Sequence, residues 1–156
     1  VRAVNHKAEL CCRTCRLKVS RVQDPDGRVW YGHHGPRDHE VEPVAMAAAD
    51  VIHVCDFCLA PHPGWCFPLL EHASAESSVH PELGFTMKAV DSDGWWAACQ
   101  ACMELVSARQ IGKLRDRVLA VAVKSRGSLD AWEKQTLINQ LAAFWLAVPG
   151  PPVEIT

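Results

Sequence analysis

The chain has 156 residues, a formal charge of −2, 49% hydrophobic residues and 22% charged ones. This apolar content excludes wholesale disorder, the length suits one modest domain or two very small ones, and no apolar run reaches the roughly 18–20 residues of a membrane-spanning helix. Eight cysteines and eight histidines are the chemical excess, and they point to metal.

Residues 1–7 contain no apolar signal core, so the expected location is cytoplasmic, where thiols stay reduced and bind metal rather than pair as disulfides. Residues 8–42 read as a small hairpin module. Cys12-Arg-Thr-Cys15 is a knuckle whose two-residue spacer lets both sulfurs converge on one ion. A strand over 17–22, the turn Asp24-Pro25-Asp26-Gly27 and a second strand over 28–34 form the hairpin, because proline presets φ and glycine accepts positive φ. If the second strand is regular, Val29, Tyr31 and His33 share a face, which favours His33 over His34 as a ligand beside His39. Cys12, Cys15, His33 and His39 then make a zinc site of two cysteines and two histidines, with His34 the alternative to His33. So small a module buries too little core to stand without metal.

Residues 43–49 read as a connector, followed by a strand over 51–54. Cys55-Asp-Phe-Cys58 is the second knuckle, and Cys99-Gln-Ala-Cys102 supplies the other half of a closed four-cysteine zinc site within a module spanning 50–126. A strand leaves the knuckle over 65–70, and the polar stretch 71–94 is expected to be an irregular insertion. Adjacent Trp95 and Trp96 cannot both point inward in an extended segment, so one is expected to be exposed. Cys11 is expected to be a bystander, and Cys66 a small buried hydrophobe. An iron–sulfur cluster is the rival occupant of the four-cysteine set.

From Gln100 the pattern is helical. Ile111, Leu114, Val118 and Val121 mark one buried face, with Gly112 separating a short helix from a longer one. Asp130 with Glu133 is a capping box opening an amphipathic helix over 128–148, lined by Trp132, Leu137, Leu141, Phe144, Trp145 and Val148 and stopped by Pro149. If that helix is left uncovered, Phe144 and Trp145 offer a surface for a homodimer or protein partner. The fold class expected is therefore α+β, small and zinc-stabilised.

A cysteine pair opening a helix resembles the treble-clef zinc folds. The chain also resembles small zinc-knuckle proteins of actinobacteria and their phages. The likeness rests on Cys-x-x-Cys, Asp-x-Asp-Gly and Asp-His-Glu in the first module, then Cys-Asp-Phe-Cys, Trp-x-Ala-Cys-x-x-Cys and Leu-x-x-Arg. It covers roughly residues 11–117 and implies an architecture, not an activity.

Charge is segregated: +4 over residues 1–28, −9 over 29–104 and +5 over 105–126. Arg109, Lys113, Arg115, Arg117, Lys124 and Arg126 form a candidate nucleic-acid surface. No HExxH, zinc-deaminase pattern, phosphate loop or GxSxG elbow occurs. A treble-clef nuclease would have to draw on His53, His62, His72 or His80. The favoured expectation is a non-enzymatic regulatory or adaptor protein with two structural zinc ions and a protein partner. A nucleic-acid-binding regulator is the alternative, and a metal-dependent nuclease the second alternative.

Overall fold

The computed structural model describes residues 8–33, 38–70, 74–79, 86–90 and 94–155. Among them the chain forms nine strands and three α-helices, an α+β arrangement with three small sheets. β1 (Glu9–Cys12) pairs antiparallel with β4 (Pro43–Met46), placing Cys12 opposite Pro43. The stretch expected to be a connector is thus a strand. Its exposure alternates, with Val44 and Met46 partly covered and Pro43 and Ala45 exposed, and its proline occupies the first position, where no ladder donor is lost.

β2 (Val19–Gln23) and β3 (Val29–His33) form the expected hairpin. Gly27 has φ +83, its N–H donates to Asp24 O at 3.0 Å, and Asp24 N–H donates to Arg28 O at 3.0 Å. This is a type I turn with a glycine bulge, a three-residue hairpin loop. Asp24 is buried and its Oδ1 accepts the Arg28 N–H at 2.7 Å, which explains an aspartate at that position.

The insertion expected to be irregular carries β6 (Ser74–Val79) and β7 (Thr86–Val90), an antiparallel pair. β7 also pairs with β2, giving a four-stranded sheet in the order β3-β2-β7-β6, and α3 lies against β6. The serine-rich β6 has a weak strand preference, so sheet pairing outweighs local composition here.

β5 (Trp65–Pro68) is the centre of a third sheet, between β8 (Trp95–Ala98) and β9 (Val153–Glu154). The tail returns to this sheet after the prolines. Gly150 N–H donates to Pro68 O at 2.7 Å, and a Cβ at Gly150 would stand 3.0 Å from Pro68 Cγ, so a larger residue there would require the proline ring to give by a few tenths of an ångström. Val51–Val54 is not a strand; it contributes isolated bridges at Ile52 and Val54.

The helices are α1 (Gln100–Ser107), α2 (Ile111–Arg126) and α3 (Ala131–Leu146). The break falls at Arg109, with φ +52, and Gly112 lies inside α2. Ile111, expected on the buried face, is 53% exposed at the first turn of α2, whereas Leu114 and Val118 are buried. Asp130 and Glu133 form both bonds of the capping box. Phe144, expected at a partner surface, is fully buried. Its ring stands 5.0 Å from those of Phe57 and Trp96 and 5.9 Å from Phe67. Cys55, Cys58 and Cys102 are buried in this same core. Among the described residues no helix is long and apolar enough to cross a membrane.

Candidate metal centres

Two knuckles with the same hydrogen-bond pattern build the two sites. In the first, Arg16 N–H donates to Cys12 O at 2.8 Å and Cys12 N–H donates to Leu17 O at 2.9 Å. In the second, Leu59 N–H donates to Cys55 O and Cys55 N–H to Ala60 O, each at 2.8 Å. The residue after the second cysteine is left-handed in both, Arg16 at φ +57 and Leu59 at φ +60. A β-bridge closes each loop, Cys11 to Lys18 and Val54 to Pro61. This backbone curl turns both cysteine side chains to the same point, the physical reason for the two-residue spacer. Beyond the recurring Cys-x-x-Cys, the pattern itself repeats, which composition alone does not disclose.

Cys12, Cys15, His33 and His39 converge, with one ligand atom from each within 4.8 Å of all the others. Cys12 Sγ lies 3.5 Å from His39 Nε2, and the His33 and His39 rings meet edge to face at 4.7 Å. Asp38 Oδ1 accepts the His39 Nδ1 proton at 3.0 Å, which leaves Nε2 as the lone-pair nitrogen facing the sulfurs. His33 Nε2 is buried and has no hydrogen-bond partner, the state expected of a ring nitrogen reserved for an ion. His34 lies outside the described residues.

Burial alone would raise the Cys12 thiol. Backbone bonds from Glu42, Cys15 and Thr14, with the His33 ring, outweigh it and bring the thiol down to about 5. His39 is raised, first by Asp38 and then by Cys12. The site therefore favours a thiolate before any ion arrives.

Cys55, Cys58, Cys99 and Cys102 form the second set, again within 4.8 Å of one another, and all are free thiols. Cys55 and Cys58 come from the knuckle, Cys99 directly follows β8, and Cys102 lies on the first turn of α1. Asp56, inside the knuckle, holds the two halves together: its N–H donates to Ala97 O at 2.9 Å and its Oδ2 accepts the Ala97 N–H. Trp65 Nε1 donates to Gln100 Oε1 at 2.7 Å, tying β5 to the helix start. Hydrogen bonds from Cys102 and Cys55 hold the Cys58 thiol far below its ordinary range, while bonding to Cys55 and Cys58 pushes Cys102 up. Four sulfurs so close cannot all ionise alone, and a divalent cation is what lets them.

Bond geometry tests the fit. A tetrahedral zinc with Zn–S near 2.3 Å and Zn–N near 2.05 Å has sulfur–sulfur edges of about 3.8 Å and sulfur–nitrogen edges of about 3.6 Å. Cys58 Sγ and Cys99 Sγ stand 3.7 Å apart, and Cys12 Sγ and His39 Nε2 3.5 Å. Both sets fit one ion each.

Arg117, expected among the phosphate contacts, turns to sulfur instead: its Nη2 lies 3.9 Å from Cys58 Sγ and its Nε is buried without a partner. The nearby sulfurs, Cys102 first, raise its already high pKa, which secures its charge. Leu-x-x-Arg is the visible trace of this contact, but nothing in one dimension places α2 against the knuckle. Arg115 pairs with Asp116 at 2.8 Å and Arg126 with Glu133 at 2.7 Å, while Arg109, Lys113 and Lys124 are exposed.

Cys11 is buried beside the first set but outside it, and burial, with the Glu9 carboxylate, raises its thiol. Cys66 is half-buried on β5, its thiol raised by desolvation. His53 and His62 are exposed and belong to neither set, and His72 and His80 lie outside the described residues. Comparison with protein-family models, with curated proteins and with solved structures finds no match for the chain.

Proposed function

We propose that the chain is a non-enzymatic regulatory or adaptor protein, held together by two structural zinc ions and acting by binding another macromolecule. The observation that carries this reading is the pair of closed four-ligand sets whose 3.5 Å and 3.7 Å edges suit tetrahedral zinc. Two ligands on one such ion stand at most about 4.6 Å apart, so a limit of 4.8 Å also favours a single ion over an iron–sulfur cluster. Four protein ligands leave no coordination position for water or substrate, which argues for support rather than catalysis. Zinc here supplies folding free energy to a chain with small sheets. Knuckle, hairpin and helix start in the second module support a treble-clef reading, and the first module is its helix-free counterpart.

Elemental analysis with native mass spectrometry tests the metal: two zinc ions per chain are expected, and a reduced, folded preparation without transition metal overturns the reading. Affinity capture from host lysate, with and without nuclease, tests the binding role. A protein recovered after nuclease treatment supports it, and nuclease-dependent recovery moves the assignment to the nucleic-acid alternative. That second reading rests on exposed Arg109, Lys113 and Lys124. With Arg117 turned to sulfur and two arginines paired to carboxylates, a log–log salt slope of about −3 is expected for duplex DNA, not the roughly −5 of six contacts.

A further inference from the structure

β3 is the outer strand of the four-stranded sheet, and among the described residues no strand pairs with its far side. The hairpin register fixes which groups point there. Asp24 and Arg28 form the narrow pair at the turn, Asp24 N–H donating to Arg28 O at 3.0 Å. Narrow and wide pairs alternate along an antiparallel ladder. Trp30 is therefore bonded to Val22, while Tyr31 sits in a wide pair opposite Arg21. The N–H and C=O groups of Val29, Tyr31 and His33 point away from β2.

Natural edges are usually blunted by proline, inward charge or lysine. The strand Val29–His33 has none of these. Trp30 is 43% and Tyr31 37% exposed, and a Cβ at Gly32 would meet nothing within 4 Å. Alternation places Arg21 on the face of Tyr31 and Arg28 on the face of Trp30. Both arginines are exposed. Arg21 bonds Gln23 Oε1 at 3.4 Å, and among the described residues neither arginine is in an ion pair, whereas Arg13 and Lys18 pair with Glu42 and Glu9.

We propose that this edge accepts an added strand from a partner protein, an extended segment rich in acidic side chains. This rests on the adaptor reading and specifies its partner. Main-chain bonds to Val29, Tyr31 and His33 give the affinity, and carboxylates reaching Arg21 and Arg28 give the selectivity. A single-stranded nucleic acid would use the Tyr31 ring and the arginines but leave the outward amides unmatched. A second copy of the chain would bring its own Arg21 and Arg28 to the same edge, like charge against like.

The test uses the metal-loaded full chain and a fluorescein-labelled peptide of Thr-Val-Glu-Glu repeats, with Thr-Val-Lys-Lys repeats as the charge-reversed probe. Tyr31→Pro removes an outward N–H that the hairpin does not use, a substitution an edge strand tolerates. Tyr31→Val removes the ring and keeps the N–H. Tyr31→Val is expected to bind the acidic peptide within about threefold of the native chain, and Tyr31→Pro about tenfold more weakly, as for one lost hydrogen-bonded contact. Arg21→Glu with Arg28→Glu is expected to transfer the preference to the lysine peptide. Equal binding by the two Tyr31 variants, tighter binding of oligo-dT than of the acidic peptide, or a dimer abolished only by Tyr31→Pro would each overturn the proposal. Zinc content is measured in every sample. Two ions without peptide binding sink the strand addition alone, whereas absence of zinc from the native chain sinks the reading beneath it.

Discussion

Arg117 and Asp38 orient the sulfurs and imidazoles without joining them. Asp38 sets the His39 tautomer, and Arg117 sets a cation beside four sulfurs whose zinc complex would carry net negative charge. Outer partners of this kind typically change metal affinity about 10–100-fold. Arg117→Leu is therefore expected to weaken zinc at the four-cysteine set by about that factor and leave the cysteine–histidine set unchanged, as read by chelator competition. Asp38→Asn is expected to show the reverse pattern. Acid should act first on the cysteine–histidine set. The Cys12 thiol, ordinarily near 9, is lowered to about 5, so its stabilisation is complete above the ordinary value and vanishes as pH falls through the lowered one. His39 is raised and takes up its proton earlier on the same descent. Zinc release from this set is expected as pH falls toward about 5, followed with a zinc-sensitive dye.

Helix α3 owes its start to Asp130 and its position to Phe144. Asp130→Ala removes the cap and is expected to cost about 1 kcal/mol. Phe144→Ala opens the centre of the aromatic cluster and is expected to cost about 3–5 kcal/mol. Urea denaturation of the zinc-loaded protein measures both. The capping box was legible in the sequence because its chemistry spans three residues, as was the Asp24–Gly27 turn. The Cys-x-x-Cys pairs were legible for the same reason, since their curl is a local structure, while the partner ligands of each set were read from residue type alone. The pairing of Pro43–Met46 with β1 was not, because a strand of four small residues has no period distinctive enough to read. Ser74–Val79 was missed because its partners are β7 and, across the sheet, a hairpin some fifty residues earlier. Arg117 was read as a surface cation because helical spacing says which face a residue occupies, but not what is packed there.

The whole molecule distributes its two candidate ion sites unequally. Three ligands of the first set are partly exposed, whereas three of the second are buried among Phe57, Phe67 and Phe144. Structural zinc is worth about 10–16 kcal/mol in apparent binding, comparable with the ~5–15 kcal/mol net stability of a domain. Chelator titration is expected to empty the exposed set first, with loss of the 8–42 hairpin and a change in Trp30 fluorescence while helical circular dichroism persists. Removal of the second ion should then take down the helices that pack around it. A single transition in both signals would contradict this order.

The separation of Cys58 from Cys99 by 41 positions has a consequence for biosynthesis. At about 5–20 residues per second, the ribosome delivers the second thiol pair roughly two to eight seconds after the first. During that interval the newborn knuckle is half a site, open to thiol reagents and to foreign soft cations. Nascent chains stalled just before Cys99 should accordingly be more easily alkylated at Cys55 and Cys58 than chains in which Cys99 and Cys102 have emerged.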